Sequence, residues 1–141
     1  MPLFKTRFRV SWVDTDAAGI VHFSNYFKYF EKTEEELYRT LEFNFKSVAE
    51  KYGVVLPRVE AWCCYKRPLR FNDLVEIELS VKELREKAVK YWFKVYNKQN
   101  GQLAAEGYIV AGAADKNLGG AVKIPEEIAE KLRAYMETWN L

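Results

Sequence analysis

The chain has 141 residues, 49% of them hydrophobic and 30% charged, the balance of a folded globular protein rather than a disordered one. Its 22 Lys and Arg against 20 Asp and Glu leave a net charge of +2, too little for nucleic-acid or membrane-surface binding driven by charge alone. One His and two adjacent cysteines, Cys63 and Cys64, exclude a zinc-finger or His-cluster metal site and a disulfide framework. Aromatic residues are abundant, at 16%.

The length suits one domain over residues 1–141, and a chain of this size can bury roughly two-thirds of its unfolded surface without a staple. No apolar run approaches the ~20 residues of a membrane span. Met1 to Val10 alternates polar and apolar residues and shows no signal-peptide core. A reduced, cytoplasmic, metal-free protein is expected.

Taken in chain order, residues 4–13 alternate Phe4, Thr6, Phe8, Val10 and Trp12 with Lys5, Arg7 and Arg9, the pattern of a half-buried strand. The small polar run Asp14 to Gly19 reads as a loop. Ser24 or Asn25 can cap the helix that follows. Tyr26, Phe30, Thr33, Leu37 and Leu41 recur at helical spacing, which predicts a helix over about 25–41, with Glu34, Glu35 and Glu36 on its solvent side. A shorter helical turn spans Lys46–Tyr52 and ends at Gly53, a left-handed cap. From Val54 the pattern turns to strand. Pro57 and Pro68 bracket Val59, Trp62 and Tyr65, as in a bent or edge strand. Asn72-Asp73 marks a turn.

Val75, Ile77, Leu79 and Val81 then alternate with charged and small polar residues. Val89, Tyr91, Phe93 and Val95 repeat the pattern, with Trp92 and Tyr96 on the polar face, where a second subunit or a helix could cover them. Asn100-Gly101 is a hairpin signal leading into a strand over Leu103–Ala114. Pro125, Glu126 and Glu127 open a last helix carrying Ile128, Leu132, Tyr135 and Trp139. Consecutive strands on short turns imply an antiparallel sheet. The predicted class is α+β, with a curved antiparallel sheet around one long central helix and an additional C-terminal helix.

Chemistry concentrates in Asp14 to Tyr26. Asp14 and Asp16 stand two apart, so an extended backbone projects both carboxylates to one side. A carboxylate perturbed by a like neighbour and by partial burial can serve as general base or nucleophile. Gly19 permits a sharp turn or close ligand approach. The helix start behind it offers unpaired N–H groups and a positive dipole end, able to polarise a carbonyl. From spacing alone the commoner reading is a turn or cap at the two aspartates, and a packed residue at His22. Cys63 and Cys64 read as buried and unreactive, and Arg85, Lys87 and Lys90 as a solvated turn.

The ordered stretch Asp14-Thr15-Asp16-Ala17-Ala18-Gly19-Ile20-Val21-His22-Phe23-Ser24-Asn25-Tyr26, continued by Phe27–Glu31, resembles the signature of the 4-hydroxybenzoyl-CoA thioesterase family. Tyr65-x-Arg67-Pro68 with Asp73 is similar too, and the resemblance covers about residues 4–115. It implies a hotdog fold, a homodimer or homotetramer with active sites between subunits, and hydrolysis of acyl-CoA to a carboxylic acid and free CoA. No cofactor is implied, coenzyme A being part of the substrate. Asp16 matches the catalytic carboxylate, as nucleophile or as general base. The Phe23 N–H matches the carbonyl-polarising donor, and Gly19 the close turn. His22, Tyr26 and Glu31 fall among the substrate-binding positions. Arg85, Lys87 and Lys90 are candidates for the CoA phosphates. The chain departs from its relatives at His22-Phe23, since many of them carry Tyr-His or two aromatics there. The alternatives are a hotdog domain that binds acyl-CoA or acyl-carrier protein without hydrolysis, and an interaction module using its aromatic surface. A dehydratase is the remaining enzymatic alternative, disfavoured because this sequence lacks the His-based motif of that class.

Overall fold

The computed structural model describes residues 3–117 and 119–136. Strand β1 (Phe4–Arg9) is followed by helix α1 (Asn25–Thr40) and a second helix, α2 (Phe45–Tyr52). Six strands follow: β2 (Val54–Val55), β3 (Arg58–Tyr65), β4 (Leu74–Leu84), β5 (Ala88–Asn97), β6 (Gln102–Gly112) and β7 (Ala114–Asp115). Helix α3 (Glu126–Arg133) comes last. Five strands form one antiparallel sheet in the order β1-β4-β5-β6-β3, while β2 pairs with β7. This sheet and its long central helix form the α+β hotdog arrangement expected from the sequence.

The alternation of β4 and β5 decides which face meets α1. Val75, Ile77, Leu79 and Val81, together with Val89, Tyr91, Phe93 and Val95, are all buried. Helix α1 lays Tyr26, Tyr29, Phe30, Leu37 and Tyr38 against them. Each such side chain contributes about 1.5–3 kcal/mol on full burial. Phe30 stacks flat on Phe93 at 4.4 Å. That fit needs Gly107 on β6, where a Cβ would stand 2.1 Å from the Trp62 carbonyl oxygen and 3.0 Å from the Phe30 ring. Asn44 caps α2 through the Ser47 N–H, and Gly53 closes it at φ +68°.

The structure corrects several expectations. The first strand stops at Arg9, and Trp12–Asp14 forms a 3₁₀ turn. Neither Ser24 nor Asn25 caps α1: the Ser24 hydroxyl pairs with the His22 ring at 2.8 Å, and the Asn25 amide donates to the Asp14 carbonyl oxygen at 2.8 Å. Helix α3 ends at Arg133, so Tyr135 lies in the turn beyond it, and Trp139 lies outside the described residues. The edge position of the strand between Pro57 and Pro68 holds, because β3 is the last strand of the sheet. Trp92 is half-buried within its own chain: Trp62 and Tyr108 enclose it at ring distances of 5.9 and 5.6 Å, and its indole N–H donates to Glu106.

The largest correction concerns Glu34. It faces inward with no exposed surface, while Glu36 is exposed. Arg58, at the start of β3, forks onto both of its carboxylate oxygens at 3.0 and 2.5 Å, and the Tyr38 hydroxyl donates to it at 2.6 Å. Tyr38 and Tyr91 hydroxyls meet at 2.7 Å. A buried carboxylate persists only when paired and hydrogen-bonded in this way. The network ties α1 to β5 and to the outer strand of the sheet.

Candidate active site

The loop from β1 to α1 is built by its own backbone. Val10 and Asn72 bond across to it: the Val10 N–H donates to Asp73 O and the Asn72 N–H to Val10 O. Gly19 at φ +78° lets the chain reverse, with the Asp16 N–H donating to Ile20 O and the Gly19 N–H to Asp16 O, each at 2.9 Å. The Val21 N–H reaches Leu69 O at 2.8 Å, which fastens the loop to the segment leaving β3.

Asp14 closes the 3₁₀ turn and Asp16 lies beyond it, with Thr15 extended between them, yet the two carboxylates have different surroundings. Asp14 faces the helix: its Oδ2 accepts from the Tyr29 hydroxyl at 2.9 Å, and its carbonyl oxygen accepts from the His22 N–H and the Asn25 amide. Burial, with the Asp14 contact behind it, pushes the Tyr29 hydroxyl well above the ordinary tyrosine range. Asp14 is therefore a clasp that holds the loop on the start of α1. Asp16 faces a cleft of about 400 Å³ lined by Ile20, Val21, Phe23, Tyr26, Tyr65 and the segment Lys66–Pro68. Its Oδ1 accepts from the Ala18 N–H at 2.9 Å, and its second oxygen makes no hydrogen bond among the described residues.

Phe23 lines the same cleft. Its N–H makes no hydrogen bond among the described residues, while its carbonyl oxygen accepts from the Tyr65 hydroxyl at 3.2 Å. Its ring is 63% exposed and sits edge-on to Tyr65 at 6.3 Å. A free carboxylate oxygen and a free N–H at a helix start, on one apolar-walled cleft, can activate a nucleophile and polarise a carbonyl.

The remaining candidates divide. Tyr26 lines the cleft. His22 is exposed beside it, held by Ser24 and packed on Phe23 at 4.7 Å. Glu31 stands at the rim of the buried pair, 3.5 Å from Arg58, and is not among the cleft residues. Arg85 and Lys87 lie on the turn between β4 and β5, at the far end of the sheet from Asp16 within one chain. Arg85 pairs with Glu83, and Lys90 lies 4.2 Å over the Tyr108 ring. The cations that the fold does bring to the cleft are Lys66 and Arg67, whose backbone N–H groups both donate to Ala104 O. Arg67 was visible in the sequence as part of Tyr65-x-Arg67-Pro68, but nothing there marked Lys66. Burial pushes the Cys63 thiol up to about 11, which keeps it protonated and unreactive. Among the described residues no three His, Cys, Asp or Glu side chains gather as a metal-ligand group. Nor is any described helix long and apolar enough to cross a membrane.

Residues 10–132 match the thioesterase-like superfamily, and the chain belongs to that family. A protein of Aquifex aeolicus (strain VF5), which carries only a provisional name as an esterase, is 34% identical over 137 residues, or 94% of this chain and 99% of its own. The acyl-CoA thioester hydrolase YbgC of Escherichia coli O6:H1 is 27% identical over 99 residues, or 70% of this chain and 72% of its own. BH1999, a gentisyl-coenzyme A thioesterase of solved structure, superposes with a TM-score of 0.80 at 30% identity, covering 91% of this chain and 98% of its own.

The clasp carries its own prediction. Tyr29→Phe removes one hydrogen bond to a carboxylate and lowers stability by about 1–2 kcal/mol in urea unfolding. Because the Asp14 carbonyl oxygen also takes the His22 N–H, in the same loop as Asp16, loosening the clasp is expected to lower kcat about tenfold while KM changes less. Unchanged kcat at the expected stability loss would reduce the clasp to scaffolding.

Proposed function

We propose that this protein hydrolyses acyl-CoA thioesters to a carboxylic acid and free CoA. The observation that carries the reading is that Asp16 and Phe23 line one cleft, and that among the described residues one Asp16 carboxylate oxygen and the Phe23 N–H make no hydrogen bond. The thioester carbonyl oxygen points at the Phe23 N–H, where the dipole of α1 adds to the polarisation. Asp16 either attacks the carbonyl carbon, giving an acyl-enzyme anhydride that water cleaves, or takes a proton from the attacking water. In both routes CoA leaves as the thiolate and the acyl group ends as the acid. The names of the relatives support the reaction class, and Gly19 supports the close turn that brings Asp16 to the cleft.

The reading includes a second copy of the chain. Strand β3 has a free outer edge, and Trp12, Val13, Phe23 and Phe71 expose apolar surface around the Asp16 loop. If two β3 edges pair antiparallel, the Lys90 end of one sheet lies beside the Tyr65 end of its neighbour. Lys90 aligns with Val110, and Val110 with Glu60 near the start of β3, which supports that placement. Arg85, Lys87 and Lys90 would then reach the CoA phosphates from the neighbouring subunit, joined by Lys66 and Arg67 of the same chain.

A thiol-release screen over short, long and aromatic acyl-CoA esters tests the reading. At least one acyl class is expected to turn over with kcat/KM above about 10⁴ M⁻¹s⁻¹. CoA-dependent thermal stabilisation with no thiol released from any ester would instead identify a binding domain.

A further inference from the structure

Tyr65 belongs to the ordered stretch Tyr65-x-Arg67-Pro68 and closes β3. Its backbone pairs with Ala105 on β6, and the next two N–H groups are pinned to Ala104 O. From this rigid base the side chain lines the Asp16 cleft and reaches the turn before α1. Its hydroxyl donates to Phe23 O at 3.2 Å. Its ring stands edge-on to the Phe23 ring at 6.3 Å and to the buried Tyr26 ring at 4.9 Å.

The turn has little support of its own. Ser24, at the cap position of α1, makes no side-chain bond to the helix. The peptide unit that carries the free Phe23 N–H is held at its opposite end, where His22 O accepts from the Asn25 N–H at 2.9 Å. The next unit has only long bonds from its own segment. Phe23 O accepts from the Tyr26 N–H at 3.3 Å, and the Ser24 N–H donates to the His22 ring at 3.3 Å. Peptide units are rigid planes, so movement of the second is passed to the first through the two Phe23 dihedrals. The Tyr65 contact is itself long for a hydroxyl donor, but the two ring contacts restrain the same turn. Together they fasten it to the sheet from outside the helix. A carbonyl-polarising donor is effective to the degree that it is held in place beforehand, and a small misplacement costs rate more than binding.

We propose that Tyr65 is a positioning residue: by anchoring the Phe23 carbonyl to β3, it holds the Phe23 N–H on the thioester carbonyl. The proposal rests on the thioesterase reading and adds to it a residue that acts through another. Tyr65 makes and breaks no bond in the reaction, and its hydroxyl donates to the protein rather than to the thioester. Its loss therefore loosens the donor without removing it.

The test uses Tyr65→Phe, which keeps the ring, and Tyr65→Leu, which loses ring and hydroxyl. In thiol release on the best thioester of the screen, Tyr65→Phe is expected to lower kcat about three- to tenfold with KM within about twofold. Tyr65→Leu should lower kcat further, and Tyr65→Phe should melt close to wild type. The second readout is the carbonyl band of an isotope-labelled acyl-CoA bound to Asp16→Asn, followed by difference infrared spectroscopy. A carbonyl resting on a donor absorbs at lower frequency than the free thioester. Asp16→Asn should show that lowering, and Asp16→Asn with Tyr65→Phe a smaller one in a broader band. A purely structural role for Tyr65 would leave the band in place. A band unmoved by Tyr65→Phe would overturn the proposal, as would unchanged kcat, or a raised KM at unchanged kcat, which would make Tyr65 a binding contact. A band at the free-thioester frequency in Asp16→Asn itself would overturn it too, because the carbonyl would then not rest on the N–H. If wild type releases thiol from no ester, the thioesterase reading fails and the proposal falls with it. Wild-type release that Tyr65→Phe leaves untouched removes the proposal alone.

Discussion

Arg58→Ala is expected to destabilise the protein by roughly 3–5 kcal/mol at pH 7, the cost of leaving a buried carboxylate without its partner. Glu34 has no exposed surface, and Arg58 supplies two of its three hydrogen bonds and its counter-charge. Burial pushes the Glu34 carboxyl pKa up, while the Arg58 fork and the Tyr38 hydroxyl pull against it. Removing Arg58 leaves burial almost unopposed, so the folded protein holds the Glu34 proton to a higher pH than the unfolded chain, where a glutamate ionises near ~4.3. Above that pH the folded state binds more protons than the unfolded state, and stability falls as pH rises. The deficit of Arg58→Ala should thus be smaller at pH 5 than at pH 7 in urea unfolding. Adding Glu34→Gln should recover more than half of the loss at pH 7, because no charge is then buried. A deficit independent of pH and unrelieved by Glu34→Gln would show that packing by the Arg58 stem, not the ion pair, sets the cost.

Asp16→Asn is expected to lower kcat by about a hundredfold or more, the range for loss of a positioned general base, and further if Asp16 is the nucleophile. The fold should survive. The bond from the Ala18 N–H can be kept by the amide oxygen of Asn, and no side chain among the described residues bonds the Asp16 carboxylate. KM should move little, since the cleft walls and the Phe23 N–H remain. Asp14→Asn makes a contrast, because Asp14 is turned toward Tyr29. Its effect should follow the clasp, with lost stability and a milder loss of kcat.

Much of the fold was legible because burial imposes period. The α1 prediction of 25–41 missed the observed Asn25–Thr40 by one residue, since its apolar stripe is long and uninterrupted. Gly53 was readable as a left-handed cap and β3 as an edge, each from the conformational limits of Gly and Pro. Glu34 was not legible. Next to Glu35 and Glu36 it reads as solvated, and only the sheet's approach brings Arg58, 24 residues on, to its carboxylate. Of the candidate site, the ordered motif singled out Asp16 and Phe23, and both line one cleft. The two aspartates could not be told apart, because what distinguishes Asp14 is the Tyr29 hydroxyl, a contact 15 residues away that spacing within the loop does not encode. Likewise, the cations nearest the cleft sit where Ala104 pins two consecutive N–H groups, a tertiary contact that local patterning does not encode.

The central claim is that the Asp16 cleft cleaves thioesters. The most direct test follows free thiol and carboxylic acid together, with wild type and Asp16→Asn side by side on the best acyl-CoA ester. The account predicts equal amounts of thiol and acid from wild type, and at most about a hundredth of that rate from a folded Asp16→Asn that still binds the ester. Release at the wild-type rate by Asp16→Asn, or none by wild type, would contradict it.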